Sequence, residues 1–452
     1  MNKKPFHSKS STLPVYTTQN DVVDKVEIAL LFGGPSAESD VSILTALGAM
    51  SPLDALGISD NQRYTYRPIY LCPSNFWYTG ATLRYLDTFH NSDLFPETLS
   101  RVSLNLAAGP SKRPAFSVYP TGWKEQLWAL LNSSQRKWRF DVALLACHGQ
   151  LGEDGALAGA LELAHVPYTG MRAGDCAIAM HKAHSKILAA HALTQAQHFA
   201  DNKQITLAKV LPWTSFKKPA NARHVDETLL SQQLEQHRLT FPLCIKPMHL
   251  GSSIGVAKVT TLVQLQNQLN TIFEIDSEAI CEPFVENKRE FNLSVARLFQ
   301  QTEETICSLI EEPINSADSL LDFDKKYRSG DKAKTKGLAS AQRHIDPAIP
   351  HNLKQSLMLS AATIFNAFDT PSGAPRLDFI FDDSTNTLYF NEINPCPGAF
   401  GHYLWHGHPQ LGSYDRLLKH LIEEALFLRN TPTFSKKCIP LQAQIFPQKN
   451  LS

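Results

Sequence analysis

The sequence lacks several features that would assign it to a specialised class of protein. Its 452 residues contain 43 basic and 43 acidic side chains, so no excess of charge favours a nucleic acid or an anionic membrane as partner. Its 8 cysteines include no CxxC pair, which argues against a structural zinc site or a disulfide framework and indicates reduced thiols in the cytoplasm. No apolar run approaches the ~20 residues that span a bilayer.

Signals for secretion and for a common phosphate-binding loop are absent as well. Residues 1–24 contain lysines but not the apolar segment of a signal peptide, and we expect them to form a disordered leader. No GxxxxGK[ST] motif occurs, so any nucleotide must be held by a different kind of loop. With 43% hydrophobic residues, the chain has the composition and length of two or three globular domains with ample cores.

Two segments in the first half of the chain have the pattern of a strand, a tight turn and a helix. VEIALLFGG precedes PSAESDVSILTALGAM, and DVALLACHGQLGEDG precedes ALAGALELA. Such units direct backbone amides and the positive end of a helix towards a ligand. Glu38 projects from the first turn, and His148 ends the second strand, where a buried structural histidine is the commoner outcome.

The middle of the chain has lysines in positions that call for an explanation. A helix over residues 174–191 places Lys182 and Lys186 four residues apart on one face, which usually indicates a solvent-exposed surface. Lys246 interrupts the apolar strand FPLCIKP, and a lysine there is unfavourable unless an anion meets it. The GSSIG that follows offers successive unhindered amides to phosphate oxygens. We therefore predict a hairpin flap over a nucleotide.

Residues 376–398, RLDFIFDDSTNTLYFNEINPCPG, predict a β-hairpin that carries acidic side chains. A turn centred on Thr385 places Asp378 opposite Glu392, with Asn394 one step along on the same face. Two opposed carboxylates repel each other, so this face needs a cation, and oxygen-only ligands suit Mg²⁺. For an isolated hairpin, a solvent-facing strand pair with hydrated acids is the alternative.

Several motifs, in family order over residues 25–405, resemble the ATP-grasp superfamily and, within it, the D-alanyl-D-alanine ligases. They are GGPSAESDVSILTA, CHGQLGEDGALAGALELAHVPYTG, AMHKAHSK, IKPMHLGSSIGVAKV, EPFVENKREFNLSV, DKKYRSG, RLDF and NEINPCPG. The resemblance implies an α/β fold, a three-domain ATP-grasp fold with an N-terminal Rossmann-like (pre-ATP-grasp) domain. The expected units are a leader (1–24), an N-terminal substrate domain (25–172), a central subdomain (173–283), a C-terminal catalytic subdomain (284–430) and a tail (431–452).

The resemblance also implies that ATP lies between the sheets of the central and C-terminal subdomains. Lys182 and Lys246 would contact its phosphates or the adenine edge, and Glu290 would bind the ribose. The remaining nucleotide contacts implied are Ser253 in the flap and Glu282, Phe284 and Val285 around the adenine. Asp378, Glu392 and Asn394 would hold two Mg²⁺ ions, with Mn²⁺ as an alternative ion.

The implied reaction begins with transfer of the γ-phosphate of ATP to the carboxylate of a first D-alanine, which gives an acyl phosphate. The amine of a second amino acid then attacks, and Arg376 and the backbone amide of Gly398 would stabilise the tetrahedral oxyanion. Glu38 would orient the first ammonium with Ser252 and Tyr327, and His148 would lie beside the first carboxylate. The resemblance further implies a cytoplasmic homodimer acting on amino acids for peptidoglycan precursor synthesis, with no nucleic-acid or membrane partner.

Features around the acceptor partly match the family and partly depart from it. Lys326-Tyr327 matches the dipeptide-forming members rather than the D-alanyl-D-lactate ligases, and the RSGDKAKTKGLASAQRH that follows resembles a mobile lid that excludes water. The usual Asn-Thr-x-Pro-Gly is Asn394-Pro395-Cys396-Pro397-Gly398 here, and its two prolines stiffen the turn. Tyr403 stands where the family has a serine that binds the acceptor's carboxylate. His181 replaces the aspartate before Lys182.

Two other functions stay open at this point. The first keeps the chemistry and joins an amino acid to a different amine acceptor in a specialised biosynthetic pathway, as the bulk of Tyr403 suggests. The second is a ligand-binding homologue that has lost turnover. It is disfavoured because the metal ligands, both nucleotide lysines and Arg376 are all present in the sequence.

Overall fold

The computed structural model of the protein describes residues 25–90, 98–105, 113–119, 136–201, 205–219, 226–299, 304–314, 343–429 and 431. The leader, Tyr327, most of the lid segment after it and most of the tail lie outside these residues. Strands occur at β1 (Val26–Gly33), β2 (Tyr64–Leu71), β3 (Trp77–Thr79), β4 (Ser100–Leu104), β5 (Ala115–Tyr119), β6 (Arg136–Arg139), β7 (Val142–Leu145), β8 (Lys209–Val210), β9 (Thr214–Lys217), β10 (Leu243–Pro247), β11 (Ala257–Val259), β12 (Glu278–Pro283), β13 (Lys288–Leu298), β14 (Glu304–Cys307), β15 (Glu311–Pro313), β16 (Arg343–Ile345), β17 (Arg376–Asp382) and β18 (Thr387–Asn394).

Helices connect these strands and cover the faces of the sheets. They are α1 (Ser39–Ser59), α2 (Asp87–His90), α3 (Ala156–Leu163), α4 (Ala173–Met180), α5 (Lys182–Asp201), α6 (Glu227–Gln236), α7 (Leu262–Ile272), α8 (His351–Asn366) and α9 (Tyr414–Leu428). Two 3₁₀ segments occur at Ala81–Arg84 and Gly398–Trp405.

The first sheet has the strand order β6-β5-β4-β3-β2-β1-β7, and β1 pairs in parallel with both β2 and β7. Strand β1 is apolar on both faces because both are covered: Ile28 and Leu30 point into one core cluster, and Ala29 and Leu31 into another. The carboxyl ends of β1 and β7 meet at one edge of the sheet. Two predicted turns, the one that follows Gly33 and the one that contains His148, therefore lie side by side.

Two further sheets make up the rest of the fold. An antiparallel sheet has the order β11-β10-β12-β9, and a larger sheet has the order β16-β15-β13-β17-β18-β8, with β14 paired to β13. Helices α4, α5 and α8 contribute to the core beneath the larger sheet. The chain thus enters the layer of the larger sheet through α5 and β8 before it forms the four-stranded sheet, and it returns at β13.

Helix α1 corrects one expectation from the sequence. By length and composition α1 is apolar enough to cross a membrane, so the expectation that no apolar run approaches ~20 residues does not hold for this helix. In this fold α1 packs against β1, β2 and α9, with Ala46, Ala49 and Leu53 in the core, and a buried core helix passes the same test.

The two-sided burial of β1 generates a prediction about stability. We expect Ile28→Ala to lower the free energy of unfolding of the first domain by about 2–5 kcal/mol, because it leaves a cavity at a fully buried position. The matched change Ile58→Ala, at a side chain that is 81% exposed on α1, should stay within about 0.5 kcal/mol of the wild type. Urea unfolding followed by circular dichroism measures both, and equal effects would contradict this account of the core.

Candidate active site

The acidic hairpin forms as its sequence pattern predicts. In the β17–β18 pair Asp378 lies opposite Glu392, and Arg376 lies opposite Asn394, with a register irregularity after Asp378. Leu377 and Phe379 are buried below, so the polar residues share the other face. The predicted pairing of Asp378 with Glu392 is confirmed, and both carboxylates are partly buried beside cationic side chains rather than on an open outer surface.

Cations surround this acidic face. Arg376 donates from Nε and Nη2 to the two oxygens of Asp378, each at 2.7 Å. Lys182 Nζ lies 3.6 Å from Glu392 Oε2 and donates to the carbonyl oxygen of Leu250. Burial raises the pKa of Asp378 to about 6 although Arg376 opposes the shift, whereas Lys182 and its neighbours lower the pKa of Glu392 despite burial.

Asp378, Glu392 and Asn394 fit a divalent cation by donor chemistry. All three present oxygen, and the Oδ1 atom of Asn394 is buried without a hydrogen-bond partner in the described residues. Such an orphaned acceptor is explained if a cation binds there. In the part of the chain that the structure describes, no group of three or more His, Cys, Asp and Glu residues has an arrangement that could hold a metal ion, so the set depends on the asparagine amide.

The paired lysines differ from the expectation of an exposed face. The predicted continuous helix divides at His181 into α4 and α5, and Lys182 and Lys186 are both buried. Lys186 Nζ lies 2.6 Å from Glu282 Oε1, and Lys246 Nζ lies 2.6 Å from Glu282 Oε2. Charge neutralisation by Glu282 explains how two lysines are accommodated in the interior. Sequence reasoning noticed Lys186 but assigned it no role.

The remaining residues predicted to contact the nucleotide lie around this lysine pair. Glu282 is only 1% exposed, with both oxygens held by lysines, while Phe284 and Val285 follow it and are partly exposed. Glu290 accepts from Lys288 on β13. Lys246 donates in addition to Asn391 of the hairpin, which joins the two sheets. The roles of these residues towards ATP stay predictions.

The Gly-Ser loop forms the predicted hairpin flap between β10 and β11. Ser252 and Ser253 adopt left-handed conformations with φ of 55° and 60°, and Ser253 is exposed at the tip. The hydroxyl of Ser252 donates to Glu38 Oε1, across 214 residues of sequence. Burial raises the pKa of Glu38, although the bond from Ser252 opposes the shift. The predicted partnership of Glu38 with Ser252 is therefore seen in the structure.

A glycine makes room for Glu38 on its other side. Gly149 has φ of 70°, and a Cβ atom added there would lie 3.0 Å from Glu38 Oε2 and from Ser36 Oγ. A side chain at this position would displace the carboxylate. The residue before it, His148, is 3% exposed, and its Nε2 pairs with the hydroxyl of Thr45 at 2.9 Å. Its predicted contact with the carboxylate of the first substrate stays a prediction.

Sequence reasoning missed Glu153, which the structure places inside the site. Its carboxylate accepts from the backbone N–H of Gly149 at 2.7 Å and of Cys396 at 3.1 Å. Burial, and then the charge of Glu38, raise the pKa of Glu153 to about 8. The polar turn at Glu153 was visible in the sequence, but its partner lies 243 residues away, and no local pattern indicates such a pairing.

Tyr403 belongs to a second cluster that the sequence did not indicate. Its hydroxyl donates to Glu311 Oε2 at 3.1 Å, and Arg343 Nη1 lies 3.0 Å from Glu311 Oε1. The guanidinium of Arg343 also lies over the Tyr403 ring, 4.5 Å from its centroid. Tyr403 is thus fixed in place next to Arg376, whose charge acts on it.

The architecture corresponds to that of solved ATP-grasp ligases. The VanG D-Ala:D-Ser ligase from Enterococcus faecalis superposes with a TM-score of 0.66 at 24% identity, covering 89% of this chain and 100% of that chain. The D-alanine-D-alanine ligase from Coxiella burnetii gives a TM-score of 0.65 at 22% identity, covering 90% of this chain and 95% of that chain. The protein therefore has the predicted α/β ATP-grasp fold.

Sequence comparisons then define the family. The family model of the D-ala D-ala ligase N-terminus matches residues 27–171, and that of the C-terminus matches residues 203–423. The D-alanine--D-alanine ligase of Thermosipho africanus is 30% identical over 84% of this chain and 88% of the relative. The D-alanine--D-alanine ligase of Chlorobium chlorochromatii is also 30% identical, over 89% of this chain and 99% of the relative. This chain belongs to the D-alanine–D-alanine ligase family.

The buried Lys186–Glu282–Lys246 group generates a prediction about acid stability. Burial raises the pKa of Glu282, but the two lysines outweigh it and lower the pKa from 4.5 to about 2. The group therefore stabilises the fold above pH 4.5, and this contribution is lost as the pH falls towards 2. We expect Glu282→Gln to cost about 3–5 kcal/mol at pH 7, because it leaves two buried ammonium groups unpaired.

The matched change is Lys186→Met, which leaves Glu282 still paired with Lys246 and should cost less than Glu282→Gln. Denaturant unfolding at a series of pH values measures both variants. The difference in the free energy of unfolding between the wild type and Glu282→Gln should become smaller as the pH falls from 4.5 to 2. A gap that stays constant over this range would show that the carboxylate is not held ionised by the lysines.

Proposed function

We propose that the protein is an ATP-dependent ligase that joins two D-alanines through an acyl phosphate, for the synthesis of peptidoglycan precursors. The observation that carries this proposal is the acidic hairpin in a member of this family, with Asp378 opposite Glu392 and the unpartnered Oδ1 of Asn394 on the same strand as Glu392. A carboxylate is a poor electrophile, so a ligase must first attach a leaving group to it. Phosphorylation by ATP supplies that group.

Asp378, Glu392 and Asn394 would hold the divalent cations, and we propose Mg²⁺ as the ion, with Mn²⁺ as a substitute. A bound cation would neutralise charge between the nucleotide phosphates and the substrate carboxylate. Each oxygen of Asp378 accepts one N–H from Arg376 and keeps a further lone pair, so the carboxylate could bind a cation while the guanidinium stays in place. The remaining N–H groups of Arg376 would be available to the reacting carbonyl oxygen.

Lys182 and Lys246 would bind the phosphates, since both approach the acidic face from the flap side. Lys246 is held by Glu282 and Asn391, which fixes its position before a nucleotide arrives. Ser253, at the exposed tip of the flap, would offer its backbone N–H to a phosphate oxygen. Phe284, Val285 and Glu290 would contact the base and the ribose.

Glu38 would orient the first substrate by accepting from its ammonium group. Its position supports this role, because Oε1 is held by Ser252 of the flap while both oxygens lie near backbone of the two glycine-containing turns at residues 149 and 251. An amino group bound there would have its carboxylate directed towards Arg376 and the N–H of Gly398. This arrangement would polarise the carboxyl group that is phosphorylated and then attacked.

The identity of the acceptor is the main question within this proposal, because Tyr403 stands where the family has a serine. Its ring is fixed between Glu311 and Arg343, so it does not offer a small hydroxyl in the manner of a serine. We propose D-alanine as the acceptor, and an amine of different shape is the alternative. A screen of amino-acid pairs for ADP release, with mass analysis of the products, distinguishes them, and a product other than the D-alanine dipeptide would refute D-alanine as the acceptor.

The hairpin generates a prediction about catalysis. We expect Asp378→Asn to reduce ADP release by at least about 100-fold, because the change removes one of the two negative charges of the cation site and weakens the bonds that position Arg376. The matched control is Asp382→Asn on the same strand, where the side chain only accepts from Ser384 and Thr385 at the tip of the hairpin. That variant should keep near wild-type turnover.

The same experiment separates an enzyme from a binding homologue. Nucleotide binding by calorimetry with Mg²⁺ is measured alongside ADP release for each variant. A wild-type protein that binds ATP but releases no ADP with any amino-acid pair would refute the ligase function. Equal ADP release by Asp378→Asn and Asp382→Asn would show that the hairpin is not the metal site.

A further inference from the structure

The segment that presents the N–H of Gly398 has an unusual backbone. Residues 395–401, which we call the proline turn, follow β18 directly and begin with Pro395-Cys396-Pro397. Ala399, Phe400 and Gly401 have φ of 50°, 55° and 63°, so three successive residues are left-handed. Residues with a Cβ atom disfavour this conformation, and it persists only where surrounding contacts impose it.

Side chains of the N-terminal domain supply those contacts on both sides of Gly398. On one side, Glu153 accepts from the N–H of Cys396 at 3.1 Å. On the other side, the hydroxyl of Thr45 on α1 accepts from the N–H of Ala399 at 3.1 Å. Phe400, which is buried, anchors the turn in the core that also contains residues of α1. The N–H of Gly398 therefore lies between two fixed backbone amides.

His148 completes the network and sets the direction of the Thr45 hydroxyl. Burial lowers the pKa of His148 to about 4, and its hydrogen bond with the backbone of Cys396 only partly opposes this shift. The imidazole is therefore neutral, and with its other ring nitrogen donating to the backbone carbonyl of Cys396 the tautomer leaves Nε2 as an acceptor for the hydroxyl proton of Thr45, 2.9 Å away. With its proton given to His148, the hydroxyl has its lone pairs free for the N–H of Ala399. Donors and acceptors thus match along the whole chain of contacts.

We propose that Thr45 and Glu153, with His148 behind Thr45, are positioning residues that aim the N–H of Gly398 at the oxyanion. This inference rests on the proposed function, because it assumes that Gly398 stabilises the tetrahedral intermediate. Neither Thr45 nor Glu153 needs to touch the substrate to have this effect. An oxyanion donor is effective only when it is preorganised, so residues that hold the backbone on either side of it affect the rate without affecting nucleotide binding.

The test replaces the Thr45 hydroxyl and then restores it. Thr45→Val keeps the shape but removes the acceptor for Ala399, and we expect kcat to fall roughly 10–100-fold, because loss of a whole oxyanion donor costs 10²–10³. The KM for ATP should stay within twofold of the wild type. Thr45→Ser restores a hydroxyl at the same place and should recover most of the lost kcat. Glu153→Gln should lower kcat in the same way, since glutamine has one accepting oxygen for the two N–H groups, of Gly149 and of Cys396, that Glu153 holds.

A control and a second measurement separate positioning from general damage. Thr214→Val removes another buried hydroxyl, which accepts from Gln233 far from the turn, and should leave kcat unchanged. A phosphinate analogue of the tetrahedral intermediate should bind to Thr45→Val more weakly by the factor lost in kcat/KM, whereas ATP should bind equally well. A merely structural role would weaken both ligands or neither.

Each outcome decides one of the two proposals. Loss of kcat in Thr45→Val with recovery in Thr45→Ser supports positioning of the Gly398 amide. Wild-type kcat in Thr45→Val, or a Thr45→Ser variant as slow as Thr45→Val, overturns it while the dipeptide formed by the wild type keeps the ligase function intact. Absence of any ligated product from the wild type refutes both.

Discussion

The balance of buried charge around the acidic hairpin is the constraint on which the rest of the site depends. Asp378 and Glu392 face each other across paired strands, and like charges at that distance are tolerated only beside cations. Arg376 and Lys182 supply them from within the chain, while Glu282 in turn neutralises Lys186 and Lys246. The structure thus holds an alternating set of charges in which each buried ion has a partner. The set contains four cations and three anions, so a nucleotide with its metal would add charges of both signs to a region with one positive charge in excess.

The parts of this arrangement that the sequence predicted depend on local pattern. The period-two alternation from Leu377 to Phe381 fixes the face of the hairpin, and the DDSTN turn marks where its two strands meet. The pairing of Asp378 with Glu392 also depends on a register shift between Asp378 and Phe379 that the sequence does not mark. The Gly-Ser flap and the two strand–turn–helix units are similarly local. Lys182 and Lys186 were expected on an exposed face, but both are buried. Helical spacing shows which residues share a face, but it does not show whether other elements cover that face. Here α5 packs against β18, and the covered face contains Lys186.

Contacts between distant parts of the chain could not be predicted from local sequence patterns. Glu38 and Ser252 are 214 residues apart, Glu153 and Cys396 are 243 apart, and Thr45 and Ala399 are 354 apart. Each pair joins elements of different sheets, and its geometry is set by the packing of whole layers rather than by either segment. The family resemblance assigned roles to Glu38, Ser252 and Gly398 because each of them lies in a motif that matches the family. Thr45 and Glu153 lie inside matching motifs, yet their partners are backbone groups, which have no signature in a sequence.

Glu153 shows why the fold accepts an unfavourable group at this junction. Its pKa is raised by burial and by Glu38, so at neutral pH the folded protein either binds a proton there or buries a charge, and both lower stability relative to an apolar side chain. A pair of carboxylate oxygens can nevertheless accept from the N–H of Gly149 and of Cys396 at once, which an apolar side chain cannot do. Without it, the N–H groups of Gly149 and Cys396, which belong to distant segments of the chain, would lose their partner together. The carboxylate therefore exchanges some stability for a fixed distance between the turn beside Glu38 and the turn that contains Gly398, and under the proposed mechanism that distance would determine whether the first substrate's carboxyl group meets the oxyanion donors.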